Sequence, residues 1–255
     1  MSIAAHLVRI GNHVLNLIAG ILIFTMLLYG GYSIWDTIMI YKGAFISEDL
    51  LQYKPSKTES AGVSLADLLK INPEVRGWIT MDGTHVDYPV LQGETDMEYV
   101  NKDVYGEFSI SGSIFLDCRN SSDFSDSYNL IYGHHMANGA MFGDVVKFVD
   151  EDYFRKHKTG TLYLSDGGVQ KIELFACVRT DAFDSVIFQP DEQKSGDIGD
   201  FLTYIREKSV QYRDIKVRPS DAVIGLSTCE EAETNGRLIL FGKLEPEINM
   251  EKEGV

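Results

Sequence analysis

From Ile10 to Trp35 the chain carries no Asp, Glu, Lys or Arg. The densest stretch, Val14 to Trp35, reads VLNLIAGILIFTMLLYGGYSIW. A helix rises about 1.5 Å per residue, so this run is long enough to cross the roughly 30 Å hydrocarbon core of a bilayer. A soluble helix of such length needs a polar face, and none is present. A cleaved signal peptide is the rival reading. Against it, the apolar run exceeds a usual signal core and no clear A-x-A site follows. The expectation is an uncleaved single-pass anchor within residues 1–40. Arg9 and the amino terminus precede it, while Asp36, Glu48 and Asp49 follow along with Lys42. The positive-inside bias then places the amino terminus in the cytoplasm and the rest outside. Tyr29, Tyr32 and Trp35 would lie near the outer interface, where amphipathic aromatics settle.

Beyond the anchor, composition excludes several classes. The 255 residues hold 38 acidic and 23 basic side chains, a net charge of −15. That balance argues against a nucleic-acid binder, which needs Lys and Arg to neutralise phosphates. Three cysteines exclude a disulfide-dense miniprotein and a four-cysteine zinc site. At 44% hydrophobic residues the chain has material for a real core.

Residues 41–63 read as a polar linker with a short helix around Ser47–Tyr53. Residues 64–255 read as one domain. Ser64 can cap a helix, Ser64–Ile71, that ends at Asn72-Pro73. Gly77–Met81 and His85–Val90 read as strands around a tight Asp82-Gly83-Thr84 turn. Further strands are predicted at Gly112–Asp117, Tyr128–Gly133, Gly160–Leu164, Gln170–Thr180, Ala222–Thr228 and Arg237–Leu244. Asp166-Gly167-Gly168 makes a hairpin turn between two of them. Short strands with few helices predict an antiparallel barrel or sandwich. One helix, Asp197–Ser209, interrupts a long connection from Asp181 to Tyr212, and long connections in compact domains are often functional.

The most informative local feature is Ile224-Gly-Leu-Ser-Thr-Cys229-Glu-Glu, with Arg237 eight residues on. The thiol lies at the end of an apolar strand. Arg237 opens the next apolar run, so neighbouring strands would bring a guanidinium to the thiol. That charge favours thiolate and can hold a developing oxyanion. A structural Cys and an unrelated surface Arg fit the same residues. The second feature is Tyr132-Gly133-His134-His135-Met136, an imidazole placed at a strand end after a Gly. A His beside a Cys supplies the acid and base that acyl transfer through a thiol needs. Adjacent histidines can also bind metal, but neighbours on an extended chain point to opposite sides. His85 and His157 read as surface groups. Cys177 reads as core, and a Cys118–Cys177 disulfide stays open.

Taken together these residues resemble a sortase, specifically one of class B. Leu226-Ser227-Thr228-Cys229 with Arg237 is similar to that family's T-L-x-T-C and later Arg, with Gly225 standing where the leading Thr would be. Tyr132-Gly133-His134 matches the family's His and selects it over His135. Asn72-Pro73-Glu-Val-Arg-Gly77-Trp78-Ile79, Val86-Asp87-Tyr88-Pro89-Val90, Gly112 to Asp117 through Arg119-Asn120, and Met141-Phe142-Gly143 also resemble class B segments. Coverage runs from about Leu65 to Leu244.

The resemblance implies a mainly β fold. This is the closed sortase β-barrel with added helices at its start and one in the long loop before the Cys strand. It implies a membrane-anchored cysteine transpeptidase of Gram-positive bacteria. Such an enzyme cleaves a sorting signal near a secreted protein's carboxyl terminus, holds the new end as a thioester, and passes it to an amine of the cell-wall precursor. Cys229 would be the nucleophile and His134 the acid and base. Arg237 would hold the oxyanion together with the backbone N–H of Glu230. Ser227 and Thr228 would line the peptide groove. No cofactor or metal is implied. A hydrolase with the same three residues, a pilin-polymerising relative and a non-catalytic wall-binding module are the competing readings.

Overall fold

The computed structural model describes the chain except residues 1–2, 43, 46–47, 56–63, 137, 195, 231–233 and 246–255. The backbone divides into two compact units, residues 1–42 and 43–255. The first is a single helix, α1 (Ile3–Lys42). Its segment His6–Ile38 is long and apolar enough to cross a membrane. Leu15, Ile21, Phe24 and Leu27 are exposed on it. Apolar surface of this extent is unfavourable in water.

The second unit begins with α2 (Glu48–Leu51) and α3 (Leu65–Ile71), then β1 (Val75–Met81), β2 (Asp87–Leu91), β3 (Ile114–Leu116) and β4 (Tyr128–Tyr132). A 3₁₀ segment (Gly143–Val149) and α4 (Glu151–Lys156) precede β5 (Thr159–Leu164) and β6 (Val169–Asp181). Next come α5 (Gly199–Lys208), β7 (Ser209–Tyr212), β8 (Val223–Cys229) and β9 (Gly236–Leu244). The expected linker is partly structural. Ala44 and Leu50 are buried within this unit, and the Tyr88 hydroxyl donates to the Ala44 carbonyl. Residues 56–63, the rest of that linker, lie outside the described residues.

Eight strands close into a barrel in the order β5-β1-β2-β3-β4-β8-β9-β6, with β6 pairing back to β5. β7 joins the part of β6 beyond β5. The barrel is not purely antiparallel as expected, because β2–β3 and β4–β8 are parallel pairs. Parallel neighbours need a long crossover, and here the chain between β4 and β8 supplies β5, β6, α5 and β7 on the way. The predicted turns form: Thr84 N–H returns to the Met81 carbonyl, and Leu164 N–H to that of Gly168. Three short elements, the 3₁₀ segment, α4 and β7, are not among those predicted, because each is too brief to show a period.

The core has three parts. Ile79, Leu162, Ile172, Ile131, Leu226 and Leu240 fill the barrel. Phe201 and Ile205 of α5 cover its outside over Tyr128, Phe175 and Phe241. Leu65 and Leu68 of α3 cover Trp78, Leu91 and Phe115. His157 is buried rather than at the surface, stacked 3.9 Å from the Tyr153 ring centroid. The His85 ring is exposed, but its Nδ1 lies 2.8 Å from the buried Asp144 carboxylate.

Candidate active site

Successive side chains of a strand alternate between faces. On β8, Ile224 and Leu226 enter the barrel core, while Val223 joins the outer layer. Cys229, in phase with Val223, therefore faces outward. Arg237 on β9 is its direct register partner. Directly opposed residues of an antiparallel pair share a face, with Cβ atoms about 5 Å apart. On the other side of β8, Tyr132 of β4 is opposite Ser227. The strand ends are tied together there. Gly133 N–H donates to the Ser227 carbonyl at 3.1 Å, and the Thr228 hydroxyl donates to the Gly133 carbonyl at 2.8 Å. The chain thus leaves β4 as Gly133-His134 beside the thiol's own strand end.

Cys229, His134, Arg237, Ser227 and Thr228 all line one groove of about 400 Å³. The fold therefore gathers five of the six residues singled out in the sequence. Glu230 is the exception. Its N–H donates to the Gly236 carbonyl at 3.0 Å, continuing the β8–β9 pairing, so it is not free to meet an oxyanion. Its carboxylate pairs with Arg179 at 2.7 Å. That pairing has a consequence for Arg237. Among the described residues no carboxylate lies within ion-pair distance of it, and its Nη1 donates only to the carbonyls of Gly236 (3.0 Å) and Thr234 (3.4 Å). No described carboxylate neutralises its charge.

His134 is held by a 2.8 Å contact from Nε2 to the Val100 carbonyl. His135 instead bridges to Met141. All three thiols are free, so Cys118 and Cys177 are unpaired. Cys177 is buried, and desolvation pushes its thiol up to about 12. Cys118 is raised by burial and by the neighbouring Asp96 carboxylate. Asp96, Asp117 and Cys118 bring ligand-type atoms within 4.8 Å of one another. Asp96 Oδ1 accepts from the Cys118 N–H, and both Asp117 carboxylate oxygens are held by Arg119.

The groove's other wall escaped the sequence reading. Asp117 is fully buried and receives a fork from Arg119 (Nε 2.9 Å, Nη2 2.7 Å) and the Tyr132 hydroxyl (2.9 Å). Arg119 Nη2 also donates to the Phe188 carbonyl at 2.8 Å, and Phe188 stacks on Tyr132. This cluster pins the Asp181–Tyr212 connection against β4. Bidentate Arg–carboxylate geometry makes such a contact specific as well as strong. The only sequence signal was the spacing Asp117-x-Arg119, within the segment already noted for its resemblance.

Gly225 has a packing reason. A Cβ there would lie 3.0 Å from the Tyr128 hydroxyl oxygen and 3.2 Å from Ile239 Cγ2. Tyr128 fills the space a Thr would take. Its fully buried hydroxyl has no hydrogen-bond partner among the described residues. An unpaired buried hydroxyl costs about 1–3 kcal/mol. Tyr128→Phe is therefore expected to stabilise the domain by about 1 kcal/mol in chemical denaturation. A loss of stability of that size would show that the hydroxyl is satisfied.

A free thiol, an imidazole and a guanidinium in one groove at the rim of an eight-stranded barrel make a centre suited to acyl transfer through a thioester. No protein-family model matches the chain. It is 36% identical over 182 residues to Sortase B of Listeria monocytogenes, covering 71% of this chain and 73% of that protein. It is 31% identical over 234 residues to Sortase B of Staphylococcus aureus, covering 89% and 95%. Among solved structures, a Streptococcus pyogenes class B sortase involved in pilus biogenesis superposes with a TM-score of 0.67 at 47% identity, covering 72% of this chain and 98% of that one. The Staphylococcus aureus sortase B–substrate complex gives 0.63 at 33% identity, covering 71% and 84%. The chain belongs to the class B sortases. It is an enzyme of that type, a cysteine transpeptidase.

Proposed function

We propose that Cys229 is the nucleophile, His134 the general acid and base, and Arg237 the oxyanion holder of this transpeptidase. The observation that carries the reading is the direct Cys229–Arg237 register pair with His134 lining the same groove. The thiolate attacks the scissile carbonyl, the carbonyl oxygen gains charge beside Arg237, and His134 protonates the departing amine. The thioester then passes to an incoming amine, from which His134 takes a proton. Arg237 acts without the Glu230 N–H, which is already bonded.

The substrates in this reading are secreted surface proteins with a carboxyl-terminal sorting signal, and the acceptor is an amine of the peptidoglycan precursor. The α1 helix crosses the cell membrane once, with its amino terminus in the cytoplasm and residues 64–255 outside. Ser227 and Thr228 flank the bound peptide. The Asp181–Tyr212 connection reads its sequence, since Ala182 and Phe188 line the groove. A second acceptor class has support as well. Two similar structures are class B sortases of pilus systems, from Streptococcus pyogenes and the Streptococcus pneumoniae type II pilus. For a pilin-polymerising enzyme the acceptor is a protein lysine.

The test is a panel of sorting-signal peptides incubated with the full chain in detergent and competing amine acceptors, with products read by mass spectrometry. The expected result is cleavage of one signal class, with the new carboxyl end joined to an amine. Preference for the wall-precursor amine over a pilin lysine separates the two acceptors. Release of only the free acid with every amine would favour a hydrolase. Exchanging residues 181–212 with those of a relative should move the peptide preference, and an unmoved preference in a folded exchange would remove that loop from the reading.

A further inference from the structure

We propose that the main-chain carbonyl of Val100 is the positioning group for His134. It holds the ring as the Nε2–H tautomer and leaves Nδ1 to exchange protons with the thiol and the amines. The proposal rests on the reading of His134 as acid and base. A carbonyl oxygen only accepts hydrogen bonds, so the nitrogen 2.8 Å from it must carry a hydrogen. A neutral imidazole has one such hydrogen, so Nδ1 is the bare nitrogen. The proton accounting then closes on one atom. Nδ1 takes the proton of the Cys229 thiol and delivers it to the departing amine. In the second half it takes a proton from the incoming amine and returns it to sulfur as the carbon–sulfur bond breaks. Nε2–H stays on Val100 throughout, and the carbonyl stabilises the imidazolium between the two transfers.

The carbonyl is not left to a mobile loop. It sits on a hairpin, residues 99–113, closed by Ser109 N–H to Asn101 O (2.9 Å), Asp103 N–H to Glu107 O (2.8 Å) and Ser113 N–H to Tyr99 O (3.0 Å). The hairpin's root is buried. Asn72 Nδ2 donates to the Tyr99 hydroxyl oxygen (3.0 Å) and to the Val104 carbonyl (2.8 Å), and the Tyr99 hydroxyl donates to Glu74. This gives the Asn72-Pro73-Glu74 segment a role beyond ending α3. Gly112 completes the arrangement. Its φ is +59°, and a Cβ there would lie 2.3 Å from the Val100 oxygen. Any side chain at 112 would displace the acceptor that His134 uses.

The test is histidine-selective ¹⁵N NMR of the full chain in detergent micelles, with His134 assigned by His134→Gln. The expected spectrum shows an Nε2–H proton on His134 that exchanges slowly with water, and an unprotonated Nδ1. A neutral ring with its proton on Nδ1, or an Nε2–H exchanging as fast as that of an exposed imidazole, overturns the proposal. Gly112→Ala and the milder Tyr99→Phe are expected to lose that signal and to lower kcat by about 10- to 100-fold, the scale of a misplaced catalytic group. KM should shift far less, because the ring acts in the chemical steps. Full kcat in a folded variant that has lost the signal also overturns it. If Gly112→Ala does not fold, Tyr99→Phe and the spectrum of the unaltered protein decide. His134→Gln separates the two levels. Full activity in that variant sinks the general acid and base reading and this proposal with it. Lost activity with the wrong tautomer sinks the Val100 carbonyl alone.

Discussion

Cys229→Ala is expected to abolish both cleavage and transfer, a loss on the order of 10⁴- to 10⁶-fold in kcat, as for other nucleophiles acting within a unit. Cys229 lies at the end of β8 in the groove, on the face shared with Arg237. The other two thiols are unfit to replace it. Cys177 is buried in the barrel with its thiol pushed up to about 12, and Cys118 is raised by burial and by Asp96. Only the thiolate attacks a carbonyl effectively, so neither supplies a competent nucleophile near neutrality. Intact-protein mass spectrometry during turnover should show one acyl adduct, mapping to Cys229. An adduct on Cys118, or cleavage surviving in the Ala variant, would move the chemistry elsewhere.

Arg237→Ala should cost about 100- to 1,000-fold in kcat with little change in KM, the usual loss when one oxyanion donor is removed. The expected effect lies near the top of that range, because two features concentrate the task on this side chain. The Glu230 N–H, the obvious backbone helper, is committed to Gly236. The nearby Glu230 carboxylate is paired with Arg179, so it does not offset the Arg237 charge. Arg237→Lys should recover little, since a point charge does not reproduce a planar fork of donors. Single-turnover kinetics locate the defect, with slowed thioester formation and peptide binding intact. A raised KM with unchanged kcat would instead make Arg237 a substrate-binding residue.

The legible part of the site shares a physical property. Cys229, His134 and Arg237 each sit where an apolar run meets a turn, and each carries chemistry in its side chain. Ser227 and Thr228 follow from lying beside the thiol. The Asp117–Arg119 fork and its grip on Phe188 were not legible. They join segments 69 residues apart through a main-chain carbonyl. The Val100 carbonyl was not legible for a related reason, since every residue has a carbonyl and only the fold aims one.

What the sequence alone determined is therefore local: the apolar helix before residue 42, most strands and turns, the α3 start at Ser64 and which side chains are candidates for the chemistry. These depend on periodicity, turn chemistry and side-chain type, which neighbouring residues encode. Tertiary structure decided the parallel pairings β2–β3 and β4–β8, the burial of His157 and the commitment of the Glu230 N–H to Gly236. A strand's alternation states which side chains are buried but not which neighbour its backbone meets. That choice is made by closing the barrel, where every edge must find a partner for its N–H and C=O groups.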